Sequence, residues 1–598
     1  MTKPTIRTVK APIGDSPWLL PAAFVIASLV LIGRALLTPG TPLLADTDDA
    51  MRLVIVRDFL AGQPWYDLVQ HRLNTPFGAE VHWSRLVDLP IATLILVLRP
   101  VLGADLATIA TAYAWPLCLL GALLAVSAGL TRRLVGPAGV LPALVLPLLS
   151  PAITTEFAPG RLDHHNVEIL LTLLIAWTTI EALERARFAW LAGLLCATAL
   201  AIATESIPAI AAAITVFGAL WVISPGRAAQ LREFGVSFGM AAVVHLALTR
   251  PPSRWLEPAC DMISPVYAGG ALIVMLAFSA VTMVPAPRRA WLRFLMLAGL
   301  GALGLAALLF IYPQCLDGPY GGLDPWLRQH WIGNIAEAKP WIASLFDLPA
   351  FTLATGLPVV LAIVATLARI MLVTRDRAQW LALLAFLVFA ALIMLMQVRG
   401  ARLAVMPAVP AAAWVIALAW RHFAVRRRPL TAIALVASCL VFAGSAIVLG
   451  VDGITTLRPG RAQIVASAQA SKLPCLLPTA FADLAALPPE RIMTPIDLGS
   501  HMLLQTPHAV VSAPYHRDAE GVRDTFDFFN LPIGQARLIL QRRGIGLVVT
   551  CPAMAEMVGL PDRAADSFSA LAKAGALPAW LPEVSLGGPL KIYAVLPP

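Results

Sequence analysis

Thirteen apolar runs, each close to the length of a membrane span, dictate what this chain can fold into. They fall at 17–37, 106–131, 138–156, 166–183, 188–204, 208–224, 234–249, 265–284, 291–311, 349–373, 378–396, 403–421 and 429–450. A helix needs about twenty predominantly apolar residues to cross a bilayer, because its backbone groups must be satisfied internally. A charged fraction of 13% and a mean hydropathy of +0.77 exclude an ordinary soluble protein. The expected fold class is therefore a polytopic α-helical membrane protein of about 13 transmembrane helices.

The net charge of +9 resides mostly in arginines between the runs, so it reports membrane orientation and not a nucleic-acid partner. Arg132-Arg133, Arg185 and Arg187, Arg227 and Arg232, Arg288-Arg289, Arg375 and Arg377, and Arg421 with Arg426-Arg427-Arg428 occupy alternate connections. By the positive-inside rule those connections are cytoplasmic. The first run follows the basic tail of Lys3, Arg7 and Lys10 and lacks a small-residue cleavage site, so it reads as a retained helix with a cytoplasmic N-terminus. The stretch from Leu89 to Leu102 is too short to span and reads as re-entrant or interfacial.

The opposite connections carry the polar chemistry: residues 38–105, Glu156 to Asn166, the long loop at 312–349, and everything after Gly450. The chain divides into a multi-pass region, 1–450, and an extracytoplasmic α/β domain, 451–598. In the latter, Arg491–Met493, His508–Ser512 and Ile545–Thr550 read as strands, with helices at about 519–529 and 533–543. Gly544-Ile545-Gly546 lacks the third glycine of a dinucleotide fingerprint. The seven cysteines form no metal-binding pair; Cys475 with Cys551, and Cys260 with Cys315, are candidate disulfides in an oxidising compartment, with free thiols the alternative.

Three acids in four residues, Asp46, Asp48 and Asp49, stand where the first apolar run ends. Carboxylates crowded in this way either surround a hard cation or cap the helix that follows. Asp163-His164-His165 forms a second polar cluster, and a metal site and a helix entry are again the two readings. Glu337 and Lys339 mark the long loop. No run carries a carboxylate at its middle, whereas a proton- or ion-coupled transporter or a lipid flippase would place acids within its helices.

The order of these pieces resembles the catalytic subunit of oligosaccharyltransferases, large membrane glycosyltransferases of the GT-C fold. Asp46 with Arg52 six residues on, then Gly62, is similar to that family's first-loop motif. Gly160-Arg161-Leu162-Asp163-His164-His165 is similar to its second acidic motif, and Glu337-Ala338-Lys339-Pro340 to the Glu-x-x-Pro of its long loop. Arg402, just after Arg399, falls where the family has an arginine, and Asp497 where it has Trp-Trp-Asp. The resemblance implies a catalytic centre of Asp46, Asp163 and Glu337, with Asp46, Asp163 and His165 binding Mg²⁺ or Mn²⁺. It implies Arg402, with Arg399 as a second candidate, on the phosphate side and Asp497 on the acceptor side. Arg72, His82 and Arg85 of the first loop, and His164, are further phosphate-side candidates, with exposed loop contacts the alternative; His516, in the polar triplet Tyr515-His516-Arg517, is an acceptor- or donor-side candidate, with a loop ending a strand the alternative. The donor implied is a polyprenyl phosphate- or diphosphate-linked sugar, used at the outer face of the cytoplasmic membrane. The tryptophan pair before Asp497 is replaced by Pro495-Ile496, so the expected acceptor is a glycan or lipid, with N- or O-linked protein glycosylation as the alternative.

Overall fold

The computed structural model describes residues 13–38, 40–455, 471–585 and 587–597; Lys3, Arg7 and Lys10 lie outside them. Among the described residues nine helices are long and apolar enough to cross a membrane, or ten if the pair Pro429–Leu440 and Gly444–Ile454 counts as one span. That pair is bent by 92°, so the last apolar run is not one straight helix.

Three other runs depart from the expected thirteen spans. Residues 138–156 break into Val140–Val145, Leu146–Leu149 and Pro151–Glu156. Pro147 and Pro151 each begin a new turn, since proline supplies no N–H to the helix ladder. Arg187–Ile202 is a short apolar helix, and His165–Ala182 carries Glu168 in its first turn and Glu181 in its last. The stretch 89–102 belongs to a longer helix, Arg85–Leu102, which Ser84 caps by accepting from the Leu86 N–H at 3.3 Å. Val87, Ile91, Ala92 and Ile95 bury one face while Leu89, Leu96, Val97 and Val101 remain exposed, the pattern of a one-sided helix.

Among the described residues six strands form two sheets. In the first loop β1 (Val69–Gln70) pairs antiparallel with β2 (Ala79–Glu80). In the C-terminal domain β3 (Arg491–Met493), β4 (Ala509–Val510), β5 (Leu547–Thr550) and β6 (Lys591–Ala594) lie in the order β4-β3-β5-β6. β3 runs parallel to both neighbours and β6 antiparallel to β5. The helices Ala519–Asn530 and Ile533–Arg543 agree with the sequence reading; β6 was not anticipated.

This domain is fused to the first loop by a shared core. Met51, Val54, Trp83 and Leu162 belong to the same buried cluster as Leu498, Met502, Val510 and Ile592. Backbone bonds stitch the seam: Thr75 donates to Val510 O at 3.0 Å, and Val510 donates to Arg72 O at 2.8 Å. Both candidate disulfides are formed, Cys260–Cys315 with Cα atoms 5.3 Å apart and Cys475–Cys551 with Cα atoms 6.3 Å apart.

Candidate active site

The first and second polar loops are built around one another. Asp46 is the N-cap of the helix Thr47–Leu60, its Oδ1 accepting from the Asp48 N–H at 2.9 Å. That cap aims the next turn inward, and Asp49 is buried where its Oδ1 accepts from the N–H groups of Leu162 and Asp163 at 2.7 and 2.9 Å. Asp49 thus fixes the backbone of the second cluster. Gly160 allows the approach: its φ is +94°, and a Cβ there would lie 1.9 Å from Leu43 O. Arg161 then gathers three carboxylates, with Asp46 at 2.8 Å, Asp49 at 2.9 Å and Glu156 at 2.9 Å. Burial pushes the Asp49 carboxyl up to about 7, against the pull of Arg161.

Asp163, 2% exposed, is held from several sides. His164 Nδ1 lies 2.6 Å from Oδ1, His165 Nε2 3.2 Å from Oδ2, and the buried Arg52 3.7 Å behind. Burial alone would raise this carboxyl, but His164, His165 and Arg52 outweigh it and keep it well below the usual carboxylate range. Arg52 is in turn fixed by Asp88 at 2.7 Å and stacks on Trp83. The i,i+6 spacing from Asp46 to Arg52 therefore serves to place an arginine behind Asp163.

These elements enclose a cavity of about 190 Å³ whose wall includes Asp48, His164, His165, Glu205, Glu337 and Arg399. Burial and the charges of Asp163 and Asp46 push the Asp48 carboxyl well above its usual range. Two groups of residues here could hold a metal ion: Asp163 with His164 and His165, and His165 with Glu168 and Glu205, each set offering ligand atoms within 4.8 Å of one another. Asp163 Oδ2, His165 Nδ1 and Glu168 Oε2 are buried in ion-pair contact, Oδ2 with His165 Nε2 at 3.2 Å and His165 Nδ1 with Glu168 Oε2 at 3.6 Å, and none makes a well-formed hydrogen bond among the described residues. A histidine shared between buried carboxylates, in contacts too loose for good hydrogen bonds, is a donor set that fits a divalent cation.

Asp46 opens on a different cavity, of about 990 Å³, together with Asp49, Arg161, Lys472 and Asp497. The acidic turn 46–49 thus forms a partition, with Asp48 facing one side and Asp46 the other. Asp497 pairs with Lys472 at 2.9 Å on the Asp46 side, whereas His516 lines the cavity of His164 and His165. The two residues expected on the acceptor side therefore do not share a cavity.

Arg402 is 7% exposed and occupied by Glu337 at 3.0 Å and Glu156 at 3.3 Å, so it sets the position of Glu337. Arg399 pairs with Glu205 at 3.3 Å and also lines the smaller cavity. Arg72 stands apart, contrary to the phosphate-side expectation. Its guanidinium donates to the carbonyls of Thr506, His508 and Leu503 at 2.9, 3.2 and 2.8 Å, docking the C-terminal domain. Arg85 is likewise consumed inside the first loop, by Asp67 O at 2.6 Å and Asp88 at 3.2 Å. His82 does line the cavity, and burial followed by the nearby His516 lowers it to about 3, leaving it neutral.

Sequence reasoning missed the network that closes this cavity. His516 meets Asp261 at 2.7 Å, and Arg517 grips Asp261 with two bonds of 2.7 Å while pairing with Glu80. Glu80 also pairs with Arg254 at 2.7 Å. His82, Asp261 and His516 form a third possible ligand group, but its carboxylate is already engaged by the Arg517 fork. No motif spacing signals contacts between residues 174 to 437 positions apart. Glu168 was more accessible, because three residues after His165 is the same helix face.

No family model and no curated protein matches the sequence. Solved structures do match the fold. The archaeal oligosaccharyltransferase AglB from Archaeoglobus fulgidus, in complex with an inhibitory peptide and a dolichol-phosphate, superposes with a TM-score of 0.66 at 14% identity, covering 97% of this chain and 74% of that one. An Archaeoglobus fulgidus oligosaccharyltransferase complex with Zn and sulfate gives 0.58 at 13% identity, over 96% and 73%. The form tethered to an acceptor peptide containing the NVT sequon gives 0.61 at 14%, over 97% and 75%. The chain has the GT-C fold of these oligosaccharyltransferases.

Proposed function

We propose that this chain is a glycosyltransferase that takes a sugar or oligosaccharide from a polyprenyl phosphate or diphosphate and transfers it to a non-peptide acceptor, a glycan or lipid. We place the reaction at the outer face of the cytoplasmic membrane, where the arginine pattern puts the polar loops. The observation that carries the reading is the cavity in which Asp48, His164, His165, Glu337 and Arg399 meet at the loop end of a GT-C bundle. The dolichol-phosphate and the Zn and sulfate of the structural neighbours have the chemistry this cavity would accept: a lipid phosphate, a divalent cation and an anion.

Asp163 and His165, with Asp48 in the position the sequence reading gave to Asp46, would hold Mg²⁺ or Mn²⁺. A bound divalent ion neutralises the charge that develops on a departing phosphate. Arg399, at the cavity wall, would pair with a phosphate oxygen, a geometry suited to a guanidinium fork. Arg402 acts through Glu337, holding its carboxylate toward the cavity. Asp46, on the far side of the partition, would take the proton of the attacking acceptor group.

Protein glycosylation is the second reading, favoured by the fold shared with an enzyme seen with an acceptor peptide. Pro495-Ile496 before Asp497 supports the non-peptide reading. A strain lacking this chain is expected to accumulate a polyprenyl-linked sugar and to lose that sugar from an envelope glycan or lipid. Loss of the sugar from proteins instead would establish the second reading, and an unchanged pool of lipid-linked sugars would remove both.

A further inference from the structure

The 990 Å³ cavity on the Asp46 side extends beyond the polar loops. Leu31, Arg34 and Ala35 of its wall belong to the membrane-spanning helix Leu19–Leu37, and Tyr113 to the span Ala104–Val135. At 1.5 Å per residue, Leu31 lies roughly 9 Å below the helix end at Leu37, and Tyr113 roughly 13 Å below Ala104. The cavity therefore descends to the depth of lipid chains. Only 11% of the first span is buried, and Val25, Ile26, Leu29 and Val30 are exposed, so the wall is a helix bordered by bilayer. Leu43, Leu473, Leu476 and Met554 continue the apolar lining above it.

Its charges are unevenly matched. Arg161 is neutralised by Asp46, Asp49 and Glu156, and Lys472 by Asp497. Arg34 has no acidic partner among the described residues. A lone cation at the boundary between an apolar pocket and a polar one selects an anionic group carried on an apolar chain.

We infer that this cavity receives the acceptor, and that the acceptor is a lipid-linked molecule with an anionic group that pairs with Arg34 while its hydroxyl lies toward Asp46. The inference rests on the glycosyltransferase reading for the word acceptor, but the lipid site itself rests on the cavity. A polypeptide would have to place backbone amides against apolar wall at bilayer depth, where unsatisfied amides are costly.

The test is photocrosslinking of the full chain in its native membrane, with benzoylphenylalanine replacing Leu31 or, separately, Ala35, and Val30 as the bilayer-facing control. Mass spectrometry of the adducts should show, at Leu31 and Ala35 but not at Val30, an anionic lipid-linked species whose yield falls about tenfold in Arg34→Gln. A peptide adduct, bulk phospholipid insensitive to Arg34→Gln, or no adduct while Val30 still crosslinks would each overturn the inference. Asp163→Asn separates the two readings. If the chain is a glycosyltransferase, that variant enriches the unglycosylated adduct over the glycosylated one. An Arg34-dependent lipid adduct whose glycosylation is unaltered would leave the lipid site standing and remove the enzyme reading.

Discussion

Replacing Arg161 with methionine tests whether the two polar loops are held together by charge. The guanidinium side chain is 14% exposed and binds Asp46, Asp49 and Glu156 at 2.8–2.9 Å. Asp46 is 44% exposed, so solvent screens that pair and its share is small. Asp49 and Glu156, at 2% and 11%, are the costly partners. Breaking buried pairs of this kind costs about 3–5 kcal/mol. The pH dependence follows from Asp49. Its folded-state value is already raised to about 7 with Arg161 in place, above its value in the unfolded chain, so its contribution is lost as pH rises through the folded value. Without Arg161 that value climbs further, and the deficit relative to wild type grows by up to about 1.4 kcal/mol per pH unit above 7. At pH 6 Asp49 is protonated in both proteins and the deficit shrinks to the share of Glu156. The assay is the thermal unfolding midpoint of the detergent-solubilised chain, followed by tryptophan emission at pH 6 and pH 8.5. Adding Asp49→Asn to Arg161→Met should abolish the extra loss at high pH. Equal deficits at the two pH values, or none at either, would refute the argument.

Other outcomes follow from the same geometry. Asp48→Asn and Asp163→Ala should each lower transfer about 100- to 1,000-fold, a loss of the size seen when one transition-state-stabilising group is removed, and Asp163→Ala should also lower the unfolding midpoint because it strips a buried carboxylate from Arg52, His164 and His165; sugar transfer from a radiolabelled lipid-linked donor measures the loss of activity. Asp46→Ala should leave divalent-metal affinity within about twofold of wild type while lowering turnover, which equilibrium metal binding and kinetics distinguish. Cys475→Ser with Cys551→Ser releases a closure of 76 residues and should cost the C-terminal domain about 4.5 kcal/mol on a chain-entropy basis, read as a lowered midpoint and faster proteolysis.

The sequence made the bundle legible because membrane helices declare themselves by composition, and it located the polar loops because acids interrupt apolar runs. It did not decide which acid of the turn 46–49 faces which neighbour. That choice depends on the N-cap at Asp46 and on the backbone N–H groups of Leu162 and Asp163, which no local pattern encodes. The spacing that singled out Asp46 was informative about Arg52, whose task is to stand behind Asp163. Arg72 and Arg85 looked like exposed phosphate ligands because loop arginines usually have free forks. Here the C-terminal domain, more than 400 residues downstream, supplies the carbonyls that occupy Arg72. The straight final span failed for a different reason: residues 429–450 are apolar throughout, and hydropathy carries no information about a 92° bend.

The central claim is that Asp163 and its neighbours support metal-dependent cleavage of a lipid-linked sugar. The most direct measurement is single-turnover release of sugar from a polyprenyl-phosphate donor by the purified full chain, with water in place of the acceptor hydroxyl as the attacking group, before and after exhaustive chelation and with Mg²⁺ or Mn²⁺ restored. Release is expected in the untreated enzyme, none after chelation, recovery with either ion, and no recovery in Asp163→Asn. Release that continues undiminished after chelation, or that survives in Asp163→Asn, would contradict it.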